Sequence, residues 1–368
     1  MGNPYRVGIV GLGNISGQYL STFAGASSVT ITAVADLDAD RARMVADSLP
    51  GAAVLSVDEL VSSPDVDVVL NLTIPAAHRE IALAAIAAGK DVYGEKPLAV
   101  TLEDGRGIIE RAATAGTRVG SAPDTVLGTG IQTARSAIER GLIGGPIAAS
   151  AVMMTPGHEL WHPRPAFYYQ PGGGPLLDMG PYYVSALVQL LGPVKSVTGA
   201  SSALRPHRTV ATGEFAGQTI DVEVRTHVTG VLEHESGVLS TVTMSFDSAA
   251  TASSHLEVHG EEGTLIVPDP NMFDGEVLRH AVQGGGWTPV PVEAGYVDAS
   301  RGVGLIDFMA ASAGRPARAS GEFALHVLDI MTTLLRSADL GRALQLSTSA
   351  VVPALVPLRP AEEWRSSL

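Results

Sequence analysis

The chain has 368 residues, 45% hydrophobic and 17% charged, which suits two or three domains with a sizeable core and is too apolar for disorder. Its net charge of -14 repels phosphate backbones and argues against a nucleic-acid partner. With no cysteine, disulfides, thiolate metal sites and cysteine nucleophiles are excluded.

The opening run MGNPYRVGIV enters a strand directly, without the charged and apolar regions of a signal peptide. Strand and helix signals then alternate. RVGIVGLG, TITAVAD, DVDVVLNLTI, DVYGEK and TRVGSAP read as strands. QYLSTFAG, DADRARMVADSL, AAHREIALAAIAAG (closed by Gly89) and LEDGRGIIERAATAG (ending at Gly116) read as the intervening helices. This rhythm predicts a parallel sheet with helices on both faces. The alanine-rich stretch IALAAIAAG is too short to span a bilayer, so a cytoplasmic protein without membrane association is expected.

After about Asp124 the rhythm changes. A helix (GIQTARSAIERGLIG) and a strand (IAASAVMM) precede a loop rich in Pro, Gly and aromatics, TPGHELWHPRPAFYYQPGGG. A helix follows in PLLDMGPYYVSALVQLLG, then alternating runs to about residue 268 that predict an antiparallel sheet, and a late helix, ALHVLDIMTTLLRSADLG. The fold class expected is α/β: a Rossmann domain over residues 1–124, then a domain with a large, open, mainly antiparallel sheet over 125–368. A tight hinge is expected near 122–126.

GLGNIS, Gly11 to Ser16, joins the first strand to the first helix and matches G-x-G-x-x-G with serine third. Gly11 permits the turn, Gly13 lets the backbone approach a pyrophosphate, and Asn14 and Ile15 complete the cradle at the helix N-terminus. Asp36 ends the second strand at the spacing of a ribose-binding acid. It repels a 2′-phosphate, which favours NAD over NADP, while Arg41 and Arg43 read as helix surface charge.

GLGNIS, Asp36, the GEKPLA run at the fourth strand and GGGPLLD further on resemble the Gfo/Idh/MocA oxidoreductases over essentially the whole chain. The resemblance implies that Lys96 touches the nicotinamide ribose and the substrate hydroxyl. It also implies that Pro97 holds that lysine in place, through a bond often cis in the family. Hydride transfer from a carbinol carbon needs the hydroxyl proton removed, and a partly desolvated lysine beside a cationic ring releases its own proton more readily. Asp178 and Tyr182 are four apart, sharing one helix face. The family places an aspartate at the first position and commonly histidine at the second, so either Lys96 or Tyr182 is the principal acid/base. Thr73, Pro75 and Glu95 are further cofactor contacts by resemblance, and His78 is either a contact or a capping and packing residue. The family's Asn-x-Arg stretch after the fifth strand is replaced by Ala122, Pro123, Asp124 and Thr125.

HELWH, His158 to His162, matches H-E-x-x-H, but flanking prolines argue for a loop rather than a zinc-binding helix. No metal is expected. In the same loop Trp161 and Tyr168 can stack on a pyranose, while His158, His162 and Arg164 can bind hydroxyls or an anionic substituent; the loop can equally be an aromatic cap on the sheet. The reading is an NAD-dependent oxidoreductase acting on a secondary hydroxyl of a sugar, polyol or glycoside. The alternative is a redox-neutral, NAD-dependent glycosidase, on an anionic sugar such as a sulfosugar or uronate; a non-catalytic NAD-sensing protein is a third reading. The resemblance implies a homodimer or homotetramer through the second domain's sheet.

Overall fold

The structure, a computed structural model, describes residues 4–312 and 315–366. In chain order the first elements are β1 (Tyr5–Val10), α1 (Ser16–Phe23), β2 (Val29–Ala35), α2 (Ala39–Asp47), β3 (Ala53–Val54), α3 (Val57–Ser62), β4 (Val68–Asn71), α4 (Pro75–Ala87), β5 (Asp91–Gly94), α5 (Leu102–Ala115) and β6 (Val119–Ser121). Then come α6 (Thr129–Glu139), β7 (Pro146–Met154), α7 (Pro175–Leu191), β8 (Val194–Ser202), β9 (His207–Thr209), β10 (Thr219–Asp221), β11 (His227–His234) and β12 (Leu239–Ser245). The last are β13 (Leu256–Gly260), β14 (Gly263–Val267), β15 (Leu278–Ala281), β16 (Trp287–Pro289), α8 (Val303–Met309), α9 (Gly321–Leu340), β17 (Leu344–Gln345) and α10 (Ala361–Ser366).

Two compact units result. The first comprises Met1–Gly128, Tyr296–Leu325 and Val356–Leu368; the second comprises Thr129–Gly295 and His326–Leu355. A single division after residue 124 does not describe this arrangement, because the chain returns to the first unit twice. Buried Tyr296 and Trp364 secure the returns: Tyr296 N–H donates to the Leu127 carbonyl at 3.1 Å, and the Trp364 indole to the Val297 carbonyl at 2.9 Å.

The first unit is a six-stranded parallel sheet in the order β3-β2-β1-β4-β5-β6. Val7, Ile9, Val68, Val69 and Leu70 are all buried, as the near-continuous apolar runs of a doubly covered parallel sheet require. Register places Val10 beside Ala35 and Asn71, and Asn71 beside Gly94. The residues that follow these strands therefore share the carboxyl edge, where the strand order reverses between β1 and β4 and open α/β sheets bind ligands. The two-residue β3 and the short α3 carry no period long enough to predict; α3 is set by a Ser56–Glu59 capping box.

The second unit is built on a nine-stranded sheet, β16-β15-β14-β13-β7-β12-β11-β8-β17. It is mixed: β7 and β12 pair in parallel while the other neighbours pair antiparallel. Val228, Leu232, Val242 and Met244 point to the buried face, against which α7 packs. Val231, Leu239 and Thr241 alternate onto the opposite, exposed face. Within the alternating stretch no strand forms over 222–226, and β10 pairs with β9 in a separate ladder.

Candidate active site

The first unit carries the dinucleotide features. Gly11 has φ +91°, and a Cβ there would lie 2.9 Å from the backbone of Leu72 and Thr73, so only glycine makes this turn. A Cβ at exposed Gly13 would meet nothing within 4 Å, so its backbone is open to a ligand. Asn14 is exposed and Ile15, half-buried, is the N-cap of α1 without a side-chain cap. Asp36 follows β2; its oxygens accept from Leu12 N–H at 2.7 Å and Asp38 N–H at 2.8 Å, leaving lone pairs for a diol. Arg41, expected as plain surface charge, pairs with Asp38 at 3.0 Å and approaches Asp36 at 3.8 Å. These residues fit a dinucleotide.

Around β4 and β5 the expectations divide. Thr73 donates through N–H and hydroxyl to the Asn71 carboxamide at 3.2 and 2.6 Å, and Pro75 opens α4. His78 is 3% exposed, with Nδ1 2.7 Å from the Pro97 carbonyl and Nε2 3.0 Å from that of Thr73. Burial lowers its pKa. It braces the β4–α4 turn against the lysine segment, as the packing alternative for this residue expects. Glu95 also turns inward: it is 7% exposed and accepts from the Tyr19 hydroxyl at 2.7 Å and the Lys96 N–H at 3.1 Å. It thereby ties α1, the cradle helix, to the end of β5. Tyr19 was not legible as a site residue, since a tyrosine in a helix reads as core. Lys96 is half-buried after β5, and the Lys96–Pro97 bond is cis.

The second unit carries the other features. Asp178 and Tyr182 lie one turn apart on α7, with the Asp178 side chain 15% and Tyr182 5% exposed. The preceding GGG run is demanded by space: a Cβ at Gly173 would lie 2.6 Å from the carbonyls of Phe167 and Tyr168. HELWH is a loop with one 3-10 turn, His158–Leu160, as its prolines predict. Within it Glu159 is 4% exposed and pairs with Arg208, itself 3% exposed, at 2.9 Å. Tyr169 also donates to Glu159, and Arg208 reaches Asp247. This buried network anchors the loop; sequence reasoning missed it because its members are tens of residues apart.

The loop's other side chains differ among themselves. His158, expected to meet substrate hydroxyls, is 7% exposed and bonds Asp178 at 2.9 Å through Nε2. Trp161 is 59% exposed, and Tyr168 lies in edge contact with His158 and His162. His162 is half-buried, and burial lowers its pKa. Arg164 is exposed but pairs with Glu214 at 2.5 Å, so its charge is already matched.

Residues 5–122 match the family described as an oxidoreductase family with an NAD-binding Rossmann fold, and residues 131–266 match the GFO/IDH/MocA C-terminal domain. Over 266 residues the chain is 34% identical to 1,5-anhydro-D-fructose reductase of Ensifer adhaerens, spanning 71% of this chain and 75% of that one. The chain belongs to the Gfo/Idh/MocA oxidoreductase family. Inositol 2-dehydrogenase 3 of Saccharopolyspora erythraea is 30% identical over 72% of this chain and 73% of its own. A levoglucosan dehydrogenase solved with NADH and L-sorbose shares the fold at TM-score 0.80 and 20% identity, covering 94% of this chain and 100% of that one. The first unit of this Gfo/Idh/MocA protein is thus an NAD-binding Rossmann domain, and the protein an oxidoreductase of the sugar and polyol type. No described helix is long and apolar enough to cross a membrane.

Proposed function

We propose that this protein moves a hydride between NAD and a secondary alcohol carbon of a cyclic sugar or polyol, with Lys96, Asp178 and Tyr182 as its reacting side chains. One observation carries the reading: strand register brings the Gly11–Gly13 turn, Asp36 and Lys96 to a single sheet edge. The Gly11–Ile15 backbone holds the pyrophosphate at the start of α1. Asp36 accepts the ribose hydroxyls, and its charge favours NAD over NADP, Arg41 being matched by Asp38. Leu37 and Ile74, 103% and 61% exposed beside Asp36 and Thr73, supply apolar faces for the adenine.

Bound NAD supplies the hydride acceptor. Lys96 takes the hydroxyl proton as the carbon is oxidised, Asp178 accepts a hydrogen bond from a ring hydroxyl, and Tyr182 is the second proton-handling group. Exposed Trp161 and half-buried Tyr168 stack on the ring face. The Arg164–Glu214 pair supports a neutral ring rather than an anionic one. The names of the anhydrofructose reductase and inositol dehydrogenase relatives support a cyclic polyol. The exposed sheet face bearing Val231 and Leu239 supports a homo-oligomer, which light scattering on the purified protein tests.

The test of function is one assay with NAD and levoglucosan, myo-inositol, free hexoses and nitrophenyl glycosides, anionic ones included. NADH formed with a neutral ring polyol is expected. Nitrophenolate released under catalytic NAD without net NADH would replace the proposal with a redox-neutral glycosidase.

A further inference from the structure

We infer that His158 is a positioning residue for Asp178, an imidazole carried into the site on a loop to hold one carboxylate in one orientation. A carboxylate accepts and never donates, so the 2.9 Å contact requires a proton on His158 Nε2. Nδ1 is buried with no hydrogen-bond partner among the described residues, so no other polar contact pulls the ring away. Three aromatic rings confine it: Tyr168 and Phe246 at 4.3 Å between centroids and Trp161 at 5.1 Å.

The ring is also fixed through the chain. Glu159, the next residue, is locked by Arg208 and Tyr169, and Arg208 by Asp247. Asp178 in turn is set by the first turn of α7, behind the tight Gly173 loop. Two rigid segments, 20 residues apart, thus meet at one hydrogen bond. That arrangement restricts the rotation of a carboxylate, which is what substrate orientation needs. Tyr182, one turn further along α7, lies on the same helix face and supplies no imidazole to that carboxylate. The loop does.

The kinetic arm of the test rests on the redox reading above; the spectroscopic arm does not. His158→Phe keeps a ring in the cage and removes the donor, while a His158→Gln amide reaches as far as Nε2. With NAD and levoglucosan or myo-inositol, His158→Phe is expected to lower kcat by about 100-fold with the KM for NAD unchanged, and His158→Gln to recover most of it. Wild-type kcat in His158→Phe, or equal loss in both variants, overturns the inference. The second arm is a long-range proton–nitrogen spectrum of histidine-labelled protein, with His158 identified among the 10 histidines by its loss in His158→Gln. The Nε2–H tautomer is expected in the wild type; an Nδ1–H tautomer or an averaged ring overturns the inference. Failure of the wild type to oxidise either sugar strikes the redox reading alone, and the tautomer still decides the dyad.

Discussion

Asp124 is a fully buried carboxylate in the first unit, and converting it to asparagine has a calculable consequence. Its Oδ2 accepts from the N–H of Gly302 at 2.7 Å and of Gly304 at 3.0 Å, at the entry to α8. Oδ1 has no hydrogen-bond partner among the described residues. Burial pushes its pKa from 3.8 up to about 6; Arg301 and the two backbone donors oppose this, and Glu95 adds to it. Tyr93 and Tyr19, also buried, face the same charges and are pushed upward. A raised folded-state pKa contributes stability that is complete below the unfolded value of 3.8 and is lost as pH rises through about 6. The gap is worth roughly 3 kcal/mol, and about half of it returns between about pH 7.5 and about pH 5.

In Asp124→Asn the amide oxygen accepts the same two N–H groups and no charge is buried. The variant is therefore expected to be more stable than the wild type at about pH 7.5. Its advantage should shrink by roughly 1 kcal/mol at about pH 5, as the wild-type carboxyl takes up its proton. Urea unfolding of both proteins at the two pH values measures this. Parallel pH dependences, or an advantage that grows on acidification, would refute the reasoning.

Further outcomes test the site. Gly11→Ala forces a side chain into a left-handed turn against backbone, a strain of about 1–3 kcal/mol, and should weaken NAD binding in calorimetry. Gly13→Ala should change stability by less than about 0.5 kcal/mol yet also weaken NAD; unchanged NAD affinity would count against the pyrophosphate cradle. Lys96→Met should lower kcat by about 10²–10⁴-fold while calorimetric NAD affinity is retained, and full activity would remove its proton-transfer role. Arg208→Met leaves Glu159 and Asp247 without their buried cation; it should lower stability by about 3–5 kcal/mol and raise the sugar KM with NAD binding intact. Thermal unfolding and steady-state kinetics check both parts, and an unchanged sugar KM would separate the network from the substrate loop.

Much of the first unit was legible because its signals are local. A strand, a turn that only glycine can make and a helix N-terminus occupy one continuous stretch, so GLGNIS announces its own backbone geometry. Asp36 and Lys96 follow strands whose apolar runs mark them as buried, and parallel register then brings their ends together. The helical repeat puts Asp178 and Tyr182 on one face, while only the family resemblance singles them out. Partners far along the chain leave no local signal. His78 and Glu95, in the segments after β4 and β5, both turn inward, to the carbonyls of Pro97 and Thr73 and to Tyr19. Arg164 pairs with Glu214, 50 residues further on, which no local pattern announces.

Short-range backbone rules suffice for the Rossmann half, for the acid at its edge and for the helix bearing Asp178, while Lys96 stands out through the family resemblance of its GEKPLA run. Tertiary structure alone decided that the first unit is assembled from three separate stretches and that the second unit's sheet contains a parallel pair. It also decided the fate of HELWH, in which His158 bonds an aspartate and Glu159 joins a buried ion network. The spacing of that motif is compatible with a metal site. The orientation of its side chains is set by Asp178 and Arg208, which meet His158 and Glu159 from distant parts of the chain and which no local pattern encodes.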